Sequence, residues 1–167
     1  MTIAVDFDGT IVEHKYPEIG KELPFAIATL KKLAEGGHHI ILWSVREGKL
    51  LDEAVEFCHR QGLEFYAVNS EYPGASWNRS NGSRKIAADV YIDDRNLGGV
   101  PDWNVIYEML TCHMSYSDML EKMSREGADV DPVIYNGTFR KHSKHHRNGF
   151  FARLSRKCRE ARSHYRF

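Results

Sequence analysis

At 167 residues, 42% of them hydrophobic, the chain has room for one ordinary domain with one real core. Its formal net charge of zero hides a division: residues 1–135 carry 13 Lys+Arg against 22 Asp+Glu, a balance of −9, and residues 136–167 carry 10 against the one acid Glu160, a balance of +9. No run of 18 apolar residues and no signal-peptide start is present, and the three scattered cysteines (Cys58, Cys112, Cys158) lack a CxxC partner, so a membrane span, a secretory leader and a disulfide framework are not expected and a cytoplasmic setting is.

Residues 2–7 form a short apolar run ending in acid, the pattern of a buried parallel strand whose carboxyl end carries chemistry. Residues 24–35 predict a helix opening on Pro24 and closing on Gly36-Gly37. Residues 39–43 predict a second strand ending at Ser44, and residues 49–61 a second helix stopped by Gly62. Residues 64–68 read as a third strand and residues 69–84, with Pro73, Gly74, Asn81 and Gly82, as a long loop. Residues 87–92 read as a fourth strand ending at Asp93-Asp94, followed by helices over 103–112 and 117–124.

Strands alternating with helices of about a dozen residues imply βαβ units, a parallel sheet and a doubly wound, Rossmann-like α/β fold. Ligands in such sheets sit beyond the carboxyl ends of the strands. Asp6 with Asp8, Ser44, and Asp93 with Asp94 all end predicted strands, so three distant stretches are expected to converge on one edge. The domain is expected over residues 1–124, with 125–167 a basic extension.

In Asp6-Phe7-Asp8-Gly9-Thr10 the glycine turns the chain, so both carboxylates can face one cavity. Like charges held close in a buried site repel unless a cation lies among them. Mg2+, which takes hard oxygen ligands, is the natural candidate. Asp93-Asp94, after Val90-Tyr91-Ile92, supplies a second acidic pair, and Lys85 could offset the charge of a bound phosphoryl group.

At this point the chain resembles the haloacid dehalogenase-like (HAD) superfamily, in its phosphatase branch. The first motif is matched by Asp6-Phe7-Asp8-Gly9-Thr10, the second by Ser44 after Ile40-Ile41-Leu42-Trp43, the third by Lys85 with Arg84 as rival, and the fourth by Asp93-Asp94. The resemblance spans residues 1–124. It implies a phosphomonoester hydrolase acting through an aspartyl-phosphate on Asp6, with Asp8 as general acid and base. Ser44 and Lys85 would hold phosphoryl oxygens. Asp6, the backbone carbonyl of Asp8 and Asp94 would bind Mg2+, with Asp93 direct or through water. Thr10 would brace the loop. An aspartate at position 8 separates phosphatases from relatives that break carbon–halogen bonds.

Only 35 residues separate Asp8 from Ser44 and 40 separate Ser44 from Lys85, so neither gap holds a full cap domain. The expectation is a capless enzyme with a short flap at residues 11–22, and with Asn69, Trp77, Asn78 and Arg79 of the long loop as candidates for the substrate side. Its open site admits a large substrate such as a nucleic-acid end or a phosphoprotein, and a small phosphate ester if a neighbouring subunit closes over it. The tail, residues 136–167, mixes basic residues with Phe139, Phe150, Phe151, Tyr165 and Phe167. That composition suits nucleic acid or an anionic membrane, while the plainer reading is a solvated extension or one folded back on the acidic body. His142, His145 and His146 sit among cations that disfavour a metal. The rival readings are a nucleic-acid-binding protein with a vestigial phosphatase site and a phosphotransferase.

Overall fold

The computed structural model describes residues 1–75 and 84–125. Trp77, Asn78, Arg79 and the basic tail, with its histidines, lie outside the described residues. Four strands, β1 (Thr2–Val5), β2 (His39–Leu42), β3 (Ala67–Val68) and β4 (Val90–Ile92), form one sheet in the order β3-β2-β1-β4, parallel throughout. The helices are α1 (Ala26–Glu35), α2 (Gly48–His59), α3 (Trp103–Thr111) and α4 (Tyr116–Arg125). None is long and apolar enough to cross a membrane.

Register follows from strand alternation. Ile3 lies beside Ile40 and Val90, and Val5 beside Leu42 and Ile92, so these residues share one face. Ala4, Ile41, Ala67 and Tyr91 share the other. The first face carries the main core, joined by Ile27, Leu30 and Leu33 of α1, Ala54 and Cys58 of α2, and Trp103 and Ile106 of α3. Each large aliphatic side chain buried there contributes roughly 1.5–3 kcal/mol. The second face is thinner, and Ile86 and Ala88 cover it among the described residues.

Several elements are shorter than their patterns predict. Phe25 takes a left-handed φ of 66°, so α1 begins at Ala26 rather than Pro24, and Glu22 Oε1 accepts the N–H of Ile27. The expected strand at 64–68 keeps only Ala67–Val68, and the Tyr66 N–H just before it donates to the Ile40 carbonyl. The expected strand at 87–92 keeps Val90–Ile92. Asp89 ends the pairing by accepting the N–H of Thr2 on its own carboxylate at 2.7 Å. At the start of α4, Asp118 and Ser115 exchange hydrogen bonds in a capping box.

β1 is central, and the order reverses there: β2 and β3 lie to one side, β4 to the other. Ligand crevices in open parallel sheets form at such a reversal. Between β1 and α1 the chain makes a small hairpin, where Glu13 donates to the Lys21 carbonyl and Leu23 to that of Ile11. Gly20 is needed there, since a Cβ would lie 2.0 Å from the Glu13 carbonyl oxygen.

Candidate functional site

The site is built where β1 and β4 end side by side. The Asp6 N–H donates to the Ile92 carbonyl at 2.9 Å, which carries the pairing one step beyond β1 and brings Asp6 next to Asp93. The chain then turns tightly, with the N–H groups of Ile11 and Val12 both on the Phe7 carbonyl and Phe7 itself in the core. Gly9 sits at φ 86°, and a Cβ there would come within 2.3 Å of Asp94 Oδ2, so glycine is what lets the second acidic pair close on the first. Thr10 fastens the two loops: its Oγ1 accepts the Asp94 N–H at 3.0 Å, and its carbonyl accepts the indole N–H of buried Trp103.

Carboxylate oxygens of Asp6, Asp93 and Asp94 lie within 4.8 Å of one another and could hold a metal ion. Asp94 Oδ1 is buried and has no hydrogen-bond partner among the described residues. Burial pushes the Asp6 carboxyl up to about 7; the charges of Asp93, Asp94 and Asp8 add to the rise, and a backbone hydrogen bond from Phe7 opposes it. Asp94 is raised as well, by burial first and then by Asp93, with Arg95 and His14 pulling the other way. An orphaned buried carboxylate oxygen beside two further carboxylates is a donor set suited to a hard cation.

Asp8 is handled differently. It is only 5% exposed, and both of its oxygens are taken by Arg46, which is fully buried. Arg46 Nε donates to Asp8 Oδ2 at 2.6 Å and Nη2 to Oδ1 at 2.7 Å. The same guanidinium donates to the carbonyls of Pro17 and Glu18 in the hairpin, and lies 5.1 Å from the Phe7 ring centre and 5.3 Å from that of Tyr16.

Asp6, Asp8, Ser44 and Asp93 line one cleft of about 640 Å³. Ser44 follows β2; its N–H donates to Asn69 Oδ1, and its Oγ accepts the Arg46 N–H. Asn69 joins the cleft wall, as do Tyr16, Trp43, Arg84 and Arg95. Thus four of the six residues expected from sequence face the cleft, and Asp94 completes the acid cluster beneath it. Lys85 is placed outside the lining, with its ammonium 4.9 Å from the Tyr91 ring centre; its neighbour Arg84 is the cation on the wall. Arg46 and Arg95 were missed. Neither a motif nor a periodicity in Ser44-Val45-Arg46 singles out Arg46.

No protein-family model and no curated protein matches the chain. Among solved structures, a conserved protein from Bacteroides thetaiotaomicron matches with 60% sequence identity and a TM-score of 0.66, over 71% of this chain and 96% of that one. Its description names no activity.

Proposed function

The chain belongs to the same family as that conserved Bacteroides protein, and from its site we propose that it is a magnesium-dependent phosphomonoester hydrolase with a capless α/β core, its described helices α1, α2 and α3 packed on one face of the sheet rather than wound on both. The observation that carries this reading is the acid cluster itself. Asp6, Asp93 and Asp94 crowd together at the strand-order reversal with a buried Asp94 oxygen unpaired, while Asp8 lines the same cleft.

Asp6 is the nucleophile. Asp8 takes up a proton as substrate binds; the Asp6 carboxylate oxygen then bonds to phosphorus as the ester oxygen leaves, and Asp8 gives that oxygen its proton. Water then attacks the phosphorus, Asp8 takes the water's proton, and the Asp6–phosphorus bond breaks to release inorganic phosphate. Ser44, with Arg84 and Lys85 as the candidate cations, holds the phosphoryl oxygens. Asp6, Asp93, Asp94 and the Asp8 backbone carbonyl would hold the magnesium, which supplies positive charge against the phosphoryl oxygens. A carboxyl held at about 7 is half protonated near neutral pH and a poor nucleophile in that form, so a neighbouring cation that lowers it also activates it.

The test is a panel of phosphate esters, from nitrophenyl and sugar phosphates to mononucleotides and phosphorylated nucleic-acid ends, assayed with magnesium and with chelator. Turnover should need magnesium, and Asp6→Asn, which is nearly isosteric, should lower it roughly a thousandfold or more. Turnover in excess chelator, or in a carefully purified Asp6→Asn protein, would refute the reading.

A further inference from the structure

We propose that Arg46 is a positioning residue that holds the Asp8 carboxylate and the hairpin tip as one unit at the cleft. It rests on the reading of Asp8 as the proton-transferring group. Arg46 is the largest fully buried side chain among the described residues, and arginine is seldom buried without partners. Here the partners are divided between two parts of the chain. Nε and Nη2 grip Asp8 in a fork, while Nη1 and Nη2 reach the carbonyls of Pro17 and Glu18, so one rigid plane spans both.

The arrangement has a mechanical consequence. A carboxylate offers about four lone-pair positions, and the fork engages one on each oxygen. The remainder are held in a fixed direction, and Asp8 lines the cleft. The base of the hairpin is pinned by its own ladder, from Glu13 to Lys21 and from Leu23 to Ile11. Its tip is seated by Arg46, and the tip carries Tyr16 to the wall of the cleft that Ser44 and Trp43 also line. Asp8 and Tyr16 therefore keep their places in the cleft through the same guanidinium. Lysine would keep the charge and lose the fork.

The experiment compares wild type, Asp6→Asn, Arg46→Ala and Arg46→Lys with nitrophenyl phosphate and magnesium, each checked for folding by circular dichroism. Arg46→Ala should lose roughly a hundredfold in kcat, the scale set by misplacing a reacting group by about an ångström, with a smaller rise in KM. Millimolar guanidinium ion should restore part of the kcat, because it can refill the cavity between Asp8 and the hairpin. Arg46→Lys should stay low, and it carries the test if Arg46→Ala does not fold. Brief trypsin digestion should cut after Lys15 and Lys21 faster in both Arg46 variants than in wild type. A kcat loss untouched by guanidinium, or cleavage at the wild-type rate in both variants, overturns the proposal. An inactive wild type would instead refute the phosphohydrolase reading and the catalytic half of this one, and trypsin would still decide whether Arg46 seats the hairpin.

Discussion

Asp8 and Asp6 stand two residues apart on one turn and meet opposite electrostatic fates. Asp8 is the more deeply buried, yet an internal cation answers it, since Arg46 takes both its oxygens. Asp6 lies among Asp93 and Asp94, and burial with their charges drives it up to about 7. A buried charge must be paired, neutralised by a proton, or matched to an ion from outside. The fold supplies the pair for Asp8 and leaves Asp6 with Asp94 to the other two. That division separates a group seated by the protein from a group awaiting its charge from solution.

The comparison breaks most sharply at the acid cluster. Asp94→Ala should raise the magnesium concentration needed for half-maximal turnover by roughly ten- to a hundredfold, the scale of losing a ligand or its close support. Asp93→Ala should raise it less, because the orphaned oxygen belongs to Asp94. A magnesium titration of each variant decides the order, and the reverse order would make Asp93 the closer ligand. Gly9→Ala acts on the same spot without touching a charge. Its new methyl group would lie 2.3 Å from Asp94 Oδ2 at a strained φ, which costs about 1–3 kcal/mol and should also weaken the magnesium response. Unchanged stability and magnesium requirement in Gly9→Ala would show that the close approach of the two loops is not needed.

Stability against pH sharpens the same contrast. Asp6 is raised from 3.8 to about 7 on folding, so the folded state favours its protonated form. The stability this contributes is present below pH 3.8 and is lost as pH rises through 7. The loss is on the order of 4 kcal/mol at full ionisation. Denaturant unfolding in chelator should therefore show wild type weakening from pH 4 to 8 more steeply than Asp6→Asn. Magnesium should recover the wild type at pH 8 and leave the variant nearly unmoved. Parallel pH curves for the two proteins in chelator would mean that Asp6 carries no such strain.

The sheet and the acid pairs were legible because local pattern determines them. An apolar run such as Ile3-Ala4-Val5 can bury both faces only as an inner strand, and the acids that end it fall at the crevice whatever the rest of the chain does. Lengths were less legible, because pairing stops where the partner stops: Asp89 would continue β4 but meets the start of β1 and caps it. Arg46 was illegible for a different reason. It reads as a solvated cation in a loop, and its burial follows from a carboxylate 38 residues away and from a hairpin whose seat no periodicity encodes. Lys85 and Arg84 show the limit of motif order, since neighbouring cations at a loop end are told apart only by which one the backbone turns toward the cleft.

The smallest expected effect concerns a group raised by the same physics with no acid cluster around it. Cys58 lies in the main core on α2, and burial pushes its thiol up to about 12, with a minor contribution from Glu22. For a thiol the neutral form is the resting form at physiological pH, so the shift demands no cation, whereas for Asp6 it does. The thiolate is the reactive species, so native protein treated with a thiol reagent at pH 8 should modify exposed Cys112 and spare Cys58. Peptide mass mapping reads the two sites separately. Adding magnesium should leave the rate at Cys58 unchanged within about twofold, since the core around it stays closed whether or not the acid cluster is neutralised. Labelling of Cys58 at the pace of Cys112 would show that the main face of the sheet opens readily. Labelling that magnesium suppresses strongly would show that the cluster and the core yield together, and the contrast between a local charge defect and a closed core would no longer hold.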